Sequence, residues 1–159
     1  MKRPLIPDPP HRGGCLCGAV RYSFDARPLA VVACHCRDCQ KLSGATNLLT
    51  VYAPRESFTH EQGEVDRYRK HADSGREADY FRCAQCGVRV WHEPLTAPQL
   101  TMVAAGTLDD PSWAIPVAHI WTSRAAPSAS IPEGVPSWEQ GPADRAELIA
   151  AFEKVYPRK

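Results

Sequence analysis

The feature that most constrains this chain is the grouping of its seven cysteines into three short clusters. The clusters are Cys15-Leu16-Cys17, the segment Cys34-His35-Cys36-Arg37-Asp38-Cys39, and Cys83-Ala84-Gln85-Cys86-Gly87. An odd number of cysteines leaves at least one outside any complete set of disulfides. Cysteines that serve only as small buried hydrophobic residues have no reason to cluster in this way. The spacing therefore predicts metal binding.

The N-terminal residues and the overall charge favour a cytoplasmic protein without a membrane or nucleic-acid partner. Met1–Pro10 contains two basic residues but lacks the apolar segment of a secretory signal peptide. No run approaches the ~18 apolar residues of a membrane span. In a reducing compartment the cysteines stay thiols, which again favours metal over disulfides. The formal net charge of +1 is far from that of a typical nucleic-acid-binding domain. Nothing in the sequence specifies an oligomeric state.

The first and last clusters together supply four sulfur ligands for one structural zinc ion. In Cys83-x-x-Cys86, two intervening residues form a tight turn, and Gly87 lets backbone amides approach the sulfurs. In an extended segment, Cys15 and Cys17 point to the same side and can reach one ion. Four sulfurs complete the tetrahedral set of a structural site. We expect this ion to join the first strand to the later sheet and to stabilise the fold.

The middle cluster has a different composition, because Cys34, Cys36 and Cys39 provide three thiolates and no fourth. Three protein ligands with one free position are the usual form of a catalytic zinc site. A divalent ion with three thiolates has a net charge of about −1, which makes it a weak Lewis acid toward water. Such an ion can still lower the pKa of an incoming thiol. The ligand set therefore favours reactions of thiols over hydrolysis.

Two alternatives stay open for the middle cluster. The site is structural if His92, His119 or an acidic residue from elsewhere closes the fourth position. His35 is a poor candidate, because in an extended segment its side chain points away from Cys34 and Cys36. An iron–sulfur cluster is less favoured, since it normally takes four cysteines.

The hydrophobic pattern predicts a mainly β protein of short strands with a C-terminal helix. Strands are expected at 19–24, 29–33, 47–52, 65–70, 78–82, 88–92, 100–105 and 117–122, with a loop at 54–63 and a turn at 74–75. The proline-rich residues 1–12 are expected to form an extended arm, and 13–159 a single domain. Residues 126–142 contain four prolines and are expected to be coil. Apolar residues at helical spacing predict a helix over about 143–155.

Several segments around the cysteines resemble one known family. They are Gly14–Val20, Cys34–Cys39, Ser43–Ala45, Cys83–Gly87, Ala105–Asp110 and Pro116–Ile120, within about residues 13–141. The family is that of the glutathione-dependent formaldehyde-activating enzymes, whose domain also occurs in centromere protein V. The resemblance implies a compact beta-tent-like fold with two zinc ions. It assigns a structural zinc to Cys15, Cys17, Cys83 and Cys86, and a catalytic zinc to Cys34, Cys36 and Cys39.

The resemblance also implies an activity. This activity is carbon–sulfur bond formation between a thiol such as glutathione and a small aldehyde such as formaldehyde, giving S-hydroxymethylglutathione; the reverse is a carbon–sulfur lyase reaction. The alternatives are a family enzyme with a different thiol substrate and a non-catalytic, zinc-stabilised binding module. The chain departs from its relatives at Ser128, where a tryptophan often follows the proline.

Other residues have both a functional and a structural interpretation. Guanidinium and ammonium groups suit the carboxylates of a glutathione-like ligand, but each such group is also an ordinary surface charge. The candidates are Arg21, Arg37, Lys41 and Arg124. Asp38 is either a ligand-orienting group or a turn cap, and His119 is either a proton donor or a core histidine. Asp109-Asp110 is interpreted as a turn, and Trp91, Trp113 and Trp121 as core or pocket wall.

Overall fold

The computed structural model describes residues 5–72 and 75–158, so residue 74 of the predicted turn at 74–75 lies outside it. The strands are β1 His11–Gly14, β2 Arg21–Phe24, β3 Ala30–Cys34, β4 Leu48–Pro54, β5 Phe58–Gln62, β6 Val65–His71, β7 Glu77–Cys83, β8 Arg89–Pro94, β9 Leu100–Ala104 and β10 Ala118–Ile120. The helices are α1 Arg37–Ser43 and α2 Ala146–Val155, with three short 3-10 turns besides.

The strands form two sheets, which confirms the mainly β fold class. The smaller sheet has the order β1-β2-β5, and the larger has the order β10-β3-β4-β9-β8-β7-β6. Neighbouring strands are antiparallel except β3 and β10, which are parallel and place Ile120 opposite Cys34. The large sheet therefore brings the middle cysteine cluster beside the segment that follows β10.

Alternating apolar residues build the core between the sheets. In and just before β2, Val20, Tyr22 and Phe24 are fully buried, as the period-two pattern predicts. The Tyr22 hydroxyl is not left unsatisfied, because it lies 2.9 Å from Oγ1 of Thr107. This bond links the small sheet to the turn after β9.

Helix α2, near the C-terminus, packs against β3. Leu148 and Phe152, four residues apart and therefore on one face, are almost completely buried. Neither helix in the described ranges is long and apolar enough to cross a membrane.

The structure corrects several predicted boundaries. The predicted loop 54–63 contains β5, an exposed strand without apolar alternation that forms because it pairs with β2. The extended arm ends earlier than residue 12, since β1 begins at His11 and pairs with β2. Helix α2 begins at residue 146 rather than 143. Residues 126–142 contain no helix and only one isolated bridge, at Ser137.

The cysteine spacing predicts extended chain and a turn at Cys34–Cys39, but the structure has helix α1 from Arg37. Cys36 is the N-cap, with extended dihedral angles, and its sulfur accepts a hydrogen bond from the backbone N–H of Cys39 at 3.4 Å. Gly44 ends the helix in the left-handed conformation, φ 66°, which glycine adopts without steric cost. The helix therefore begins inside the cysteine cluster.

Candidate active site

The four-cysteine cluster joins the two sheets. Cys15 and Cys17 lie in the turn between β1 and β2, whereas Cys83 ends β7 and Cys86 follows it. Their sulfurs all lie within 4.8 Å of one another, with 3.5 Å between Cys15 and Cys17 and 3.8 Å between Cys17 and Cys83. A tetrahedral ion with zinc–sulfur bonds of about 2.3 Å gives sulfur–sulfur distances of about 3.8 Å. The cluster therefore fits a zinc ion.

Backbone amides donate hydrogen bonds to two of the four sulfurs. The Val20 N–H donates to Cys15 at 3.2 Å, and the N–H groups of Gln85 and Cys86 donate to Cys83 at 3.4 Å. Loss of water contact would raise the pKa of Cys15, but the Val20 amide and the neighbouring thiols lower it to about 6. Gly87 has φ 74°, which a residue with a side chain rarely adopts. This turn is suited to anionic sulfur ligands.

The three-cysteine cluster is formed where β3 ends and α1 begins. Cys34 is the last residue of β3, Cys36 caps α1, and the buried Cys39 lies in its first turn. Their sulfurs also lie within 4.8 Å of one another, so the predicted set comes together. Hydrogen bonds from Cys34 and Cys39, together with backbone N–H groups of Cys39 and Asp38, lower the pKa of Cys36. The hydrogen bond with Cys36 raises the pKa of Cys34, and hydrogen bonds with Cys34 and then Cys36 raise the pKa of Cys39.

One alternative is that His92, His119 or an acidic residue supplies a fourth ligand to the three-cysteine cluster. Among residues 5–72 and 75–158, no histidine, aspartate or glutamate places a ligand atom within 4.8 Å of all three sulfurs. His119 is bonded instead to His35, with 2.9 Å between Nδ1 and Nε2, and both are buried. His92 lies in the wall of the neighbouring cavity and is bonded to Arg89. In the described part of the chain, therefore, no histidine or acidic side chain completes the three-cysteine cluster as a fourth ligand.

A cavity of about 360 Å³ lies over the three cysteines. Its walls come from β3, β7, β8 and the segment after β10, and include Tyr80, His92 and Trp121. A second cavity of about 240 Å³ leads toward the start of α2 and shares Trp121 and Arg145 with the first. The two together form a cleft that begins at the sulfurs and ends at the C-terminal coil.

The cleft carries an excess of positive charge. The arginines that line it are Arg37, Arg76, Arg124 and Arg145. Its two acidic lining residues each have a partner: Asp38 lies 2.8 Å from Lys70, which also lines the cleft, and Glu77 contacts His71. Within the described part of the chain, no carboxylate lies within 4.0 Å of the guanidinium of Arg76, Arg124 or Arg145. These three groups suit the carboxylates of a bound molecule.

Some of the charged residues that the sequence indicated as ligand-binding groups line the cleft, and others lie on the surface. Arg37, Arg124 and Asp38 line the cleft, but Arg21 does not, because it pairs with Asp109 at 2.8 Å. Lys41 is exposed on α1 outside the cleft. Sequence reasoning missed Arg76 and Arg145, which reach the site from the start of β7 and of α2; no local spacing signals this approach.

The aromatic and turn candidates also separate. Trp91 and Trp113 are core residues, whereas Trp121 lines the cleft. Trp121 has φ 59°, and is the one described non-glycine residue with positive φ. Such conformations are uncommon for a bulky side chain and concentrate at functional sites. Asp109 is not only a turn residue, since it forms the ion pair with Arg21, and Ser128 lies outside both cavities.

Fold and site together define a mainly β domain whose two cysteine clusters are suited to hold metal ions, one of them facing a cleft. The family model for glutathione-dependent formaldehyde-activating enzymes matches residues 10–124, and the chain belongs to this family. It is also similar to the crystal structure of a Rhodobacter sphaeroides protein that was a structural genomics target. That similarity has a TM-score of 0.51 and 20% identity, covers 62% of this chain and 87% of the other, and supports the fold.

Proposed function

We propose that the protein is a zinc-dependent carbon–sulfur lyase or synthase that adds a thiol such as glutathione to a small aldehyde such as formaldehyde. The observation that carries this proposal is a three-cysteine cluster facing an arginine-lined cleft. Membership of the family supports the same reaction. The proposal assigns a structural zinc to Cys15, Cys17, Cys83 and Cys86, and a catalytic zinc to Cys34, Cys36 and Cys39.

The reaction joins sulfur to carbon without any change of oxidation state overall. The S–C bond forms as the π electron pair of the aldehyde C=O moves to oxygen, and the proton lost by the thiol ends on that oxygen. A zinc ion held by Cys34, Cys36 and Cys39 would lower the pKa of the thiol and favour its nucleophilic form. The N–H groups that begin α1 stabilise the negative charge of the cysteine sulfurs.

The arginines define the kind of thiol that the cleft accepts. Arg124 and Arg145 line the same cavity as the three cysteines, so a thiol bound there with its sulfur at the cysteines has guanidinium groups available for its carboxylates. A carboxylate in such a cleft forms charge-assisted hydrogen bonds, often two to one guanidinium. Glutathione carries two carboxylates and a thiol, which matches this arrangement.

Exchange spectroscopy by NMR tests the activity. Magnetisation transfer between formaldehyde and its glutathione adduct is measured with and without the zinc-loaded protein, after subtraction of the uncatalysed exchange. We expect acceleration by the protein and none by Cys36→Ser, while Arg158→Gln, an exposed change near the C-terminus, keeps the activity. If no acceleration is found with glutathione, cysteine or 2-mercaptoethanol, the non-catalytic binding module is the correct interpretation.

X-ray absorption on the same preparation tests the metal assignment. Two zinc ions per chain are expected, one with four sulfur ligands and one with three sulfurs and a lighter atom. If protein side chains supply all four ligands of both zinc ions, the three-cysteine cluster has no catalytic role.

A further inference from the structure

The cleft contains a histidine that two neighbours hold in one orientation. Nδ1 of His92, on β8, lies 3.0 Å from Nη1 of Arg89. The His92 ring also stacks on Tyr80 of β7, with 4.8 Å between centroids and 16° between planes. The guanidinium of Arg89 lies over the same Tyr80 ring, 5.8 Å from its centroid. One hydrogen bond and one stacking contact thus fix the imidazole in the cleft wall.

The hydrogen bond with Arg89 determines which nitrogen of His92 carries the proton. A guanidinium has only N–H donors, so Nδ1 of His92 must accept. Burial, and then the positive charge of Arg89, lower the pKa of His92 well below its usual value, so the ring is neutral. A neutral imidazole has one N–H, which must therefore be at Nε2. His92 is held as the Nε2–H tautomer.

The N–H of Nε2 is free to meet a ligand in the cleft. Nε2 makes no hydrogen bond to another residue within 5–72 or 75–158. It is not sealed in the interior either, unlike Nδ1 of His35 and Nε2 of His119, which are buried without a partner. His92 lines the same cavity as the three cysteines, and Nε2 is the ring nitrogen that Arg89 does not occupy.

This tautomer also excludes Nε2 of His92 as the fourth ligand of a metal ion at the three cysteines. A nitrogen that carries a proton has no lone pair available for a metal ion. While Arg89 donates to Nδ1, Nε2 of His92 therefore cannot be the fourth ligand. The group is suited to donate a hydrogen bond to an oxygen instead.

We infer that His92 is a catalytic residue whose Nε2–H donates a hydrogen bond to the aldehyde oxygen as the S–C bond forms, and that Arg89 is a positioning residue acting through His92. This inference rests on the proposed function. Negative charge develops on that oxygen when the C=O pair moves onto it, and a fixed donor stabilises the charge more in the transition state than in the bound aldehyde. The proton released by the thiol then reaches this oxygen through solvent, and His92 remains neutral throughout.

The surroundings of Arg89 fit this positioning role. Its Nη2 is buried and has no hydrogen-bond partner among the described residues. Burial lowers the pKa of Arg89, and electrostatic attraction to the three-cysteine cluster, through Cys39, opposes that effect. The anionic cysteine cluster thus makes it less costly to keep a desolvated cation behind His92.

The first test is independent of activity. In zinc-loaded protein labelled with ¹⁵N-histidine, long-range ¹H–¹⁵N correlation spectra identify the tautomer of each ring, with His92→Gln used for assignment. We expect a protonated Nε2 and an unprotonated Nδ1 for His92 at neutral pH. Arg89→Met should remove this preference, and Arg89→Lys should keep most of it. A protonated Nδ1, or an Nε2 bound to zinc, overturns the inference.

The second test is kinetic and uses a matched pair of variants. His92→Gln keeps an N–H near the position of Nε2, whereas His92→Met has similar size and no donor. We expect His92→Met to lower kcat about 100-fold with little change in KM for the thiol, and His92→Gln to stay within about tenfold of the natural protein. The control is His60→Gln, an exposed histidine outside the cleft.

The outcomes distinguish a failure of the proposed role of His92 from a failure of the proposed function. If the natural protein accelerates adduct exchange but His92→Met is equally active, His92 has no catalytic role and the proposed function stands. If both His92 variants lose activity equally, the ring has a structural role and the inference is wrong. If the natural protein accelerates no thiol, the proposed function fails and this role for His92 fails with it, whatever the tautomer.

Discussion

Nε2 of His35 lies 2.9 Å from Nδ1 of His119, and this hydrogen bond joins the residue after β3 to the middle of β10. The two rings stack with 5.2 Å between centroids, and the side chains are 0% and 3% exposed. His35 lies between Cys34 and Cys36 in the chain, so the histidine pair anchors the backbone of the three-cysteine cluster to the neighbouring strand. It is a structural element directly behind the candidate active site.

The histidine pair predicts a specific pattern of stability changes. His119→Leu leaves Nε2 of His35 buried without a partner, and should lower the free energy of unfolding by about 1–3 kcal/mol. The same range applies to His35→Leu. The double substitution replaces both partners by apolar groups and should cost less than the sum of the two single changes. Urea denaturation of the three variants measures this coupling, and strictly additive effects would show that the bond contributes no interaction energy.

Stability should fall at acidic pH because of His11. His11 is only 5% exposed and packs between Phe24 and Trp113, with ring centroids 4.7 and 5.1 Å away. Burial lowers its pKa, so below the usual histidine value of about 6.5 the unfolded chain binds a proton that the folded chain does not. The resulting loss in the free energy of unfolding is absent above pH ~6.5. It grows as the pH decreases toward the pKa of His11 in the folded protein.

The measurement is the midpoint of urea unfolding as a function of pH. His11→Phe should flatten the loss of stability below pH ~6.5 without removing it, since the pKa of His119 is also lowered by burial. His60→Gln, at an exposed position, should leave the slope unchanged. A slope that His11→Phe leaves intact would assign the acid sensitivity to other groups.

The two cysteine clusters should differ in their contribution to stability. Cys83→Ser removes a buried ligand from the cluster that joins the two sheets, and should lower the free energy of unfolding by about 3 kcal/mol or more. Cys36→Ser affects a cluster contained within six residues, and serine can still cap α1. Its effect on stability should be smaller, although activity is lost.

Thermal unfolding with zinc quantification measures this difference. A strong chelator should lower the Tm of the natural protein further than Cys36→Ser does, because it also removes the ion between the sheets. An equal decrease in Tm for the Cys36→Ser and Cys83→Ser variants would show that both clusters stabilise the fold to the same extent.

Arginines that line the cleft should determine thiol selectivity. Arg145→Gln should raise the KM for glutathione about tenfold or more, the effect of losing one charge-assisted hydrogen bond. The KM for the uncharged thiol 2-mercaptoethanol should change by less than about twofold, since that molecule has no carboxylate to lose. Arg124→Gln should behave in the same way.

Steady-state kinetics with both thiols measures these effects, with Arg158→Gln as the control. Arg158 pairs with Glu153 on the surface, outside the cleft. An equal rise in KM for the charged and the uncharged thiol would indicate a change of cleft shape rather than the loss of carboxylate binding.

The sequence alone determined which cysteines group together. Ligands two or three residues apart are held by local backbone geometry, so the clusters and their suitability for metal could be predicted from spacing. The family was indicated by the resemblance of the segments around the cysteines. The alternation of Val20, Tyr22 and Phe24 predicted β2, because burial of one face depends on a local period, and the continuous apolar run at 29–33 predicted β3. The terminal helix followed from the spacing of Leu148 and Phe152.

The tertiary structure decided what surrounds the clusters. Strand β5 carries no apolar alternation and forms through its pairing with β2, which no local pattern encodes. Helix α1 depends on the sulfur of Cys36 as an N-cap, a role that spacing did not reveal. Arg145 and His92 lie far from Cys34 in sequence and meet it only because the large sheet and the C-terminal coil enclose one cleft. Contacts across the fold, rather than local periodicity, place charge and hydrogen-bond donors around the three sulfurs.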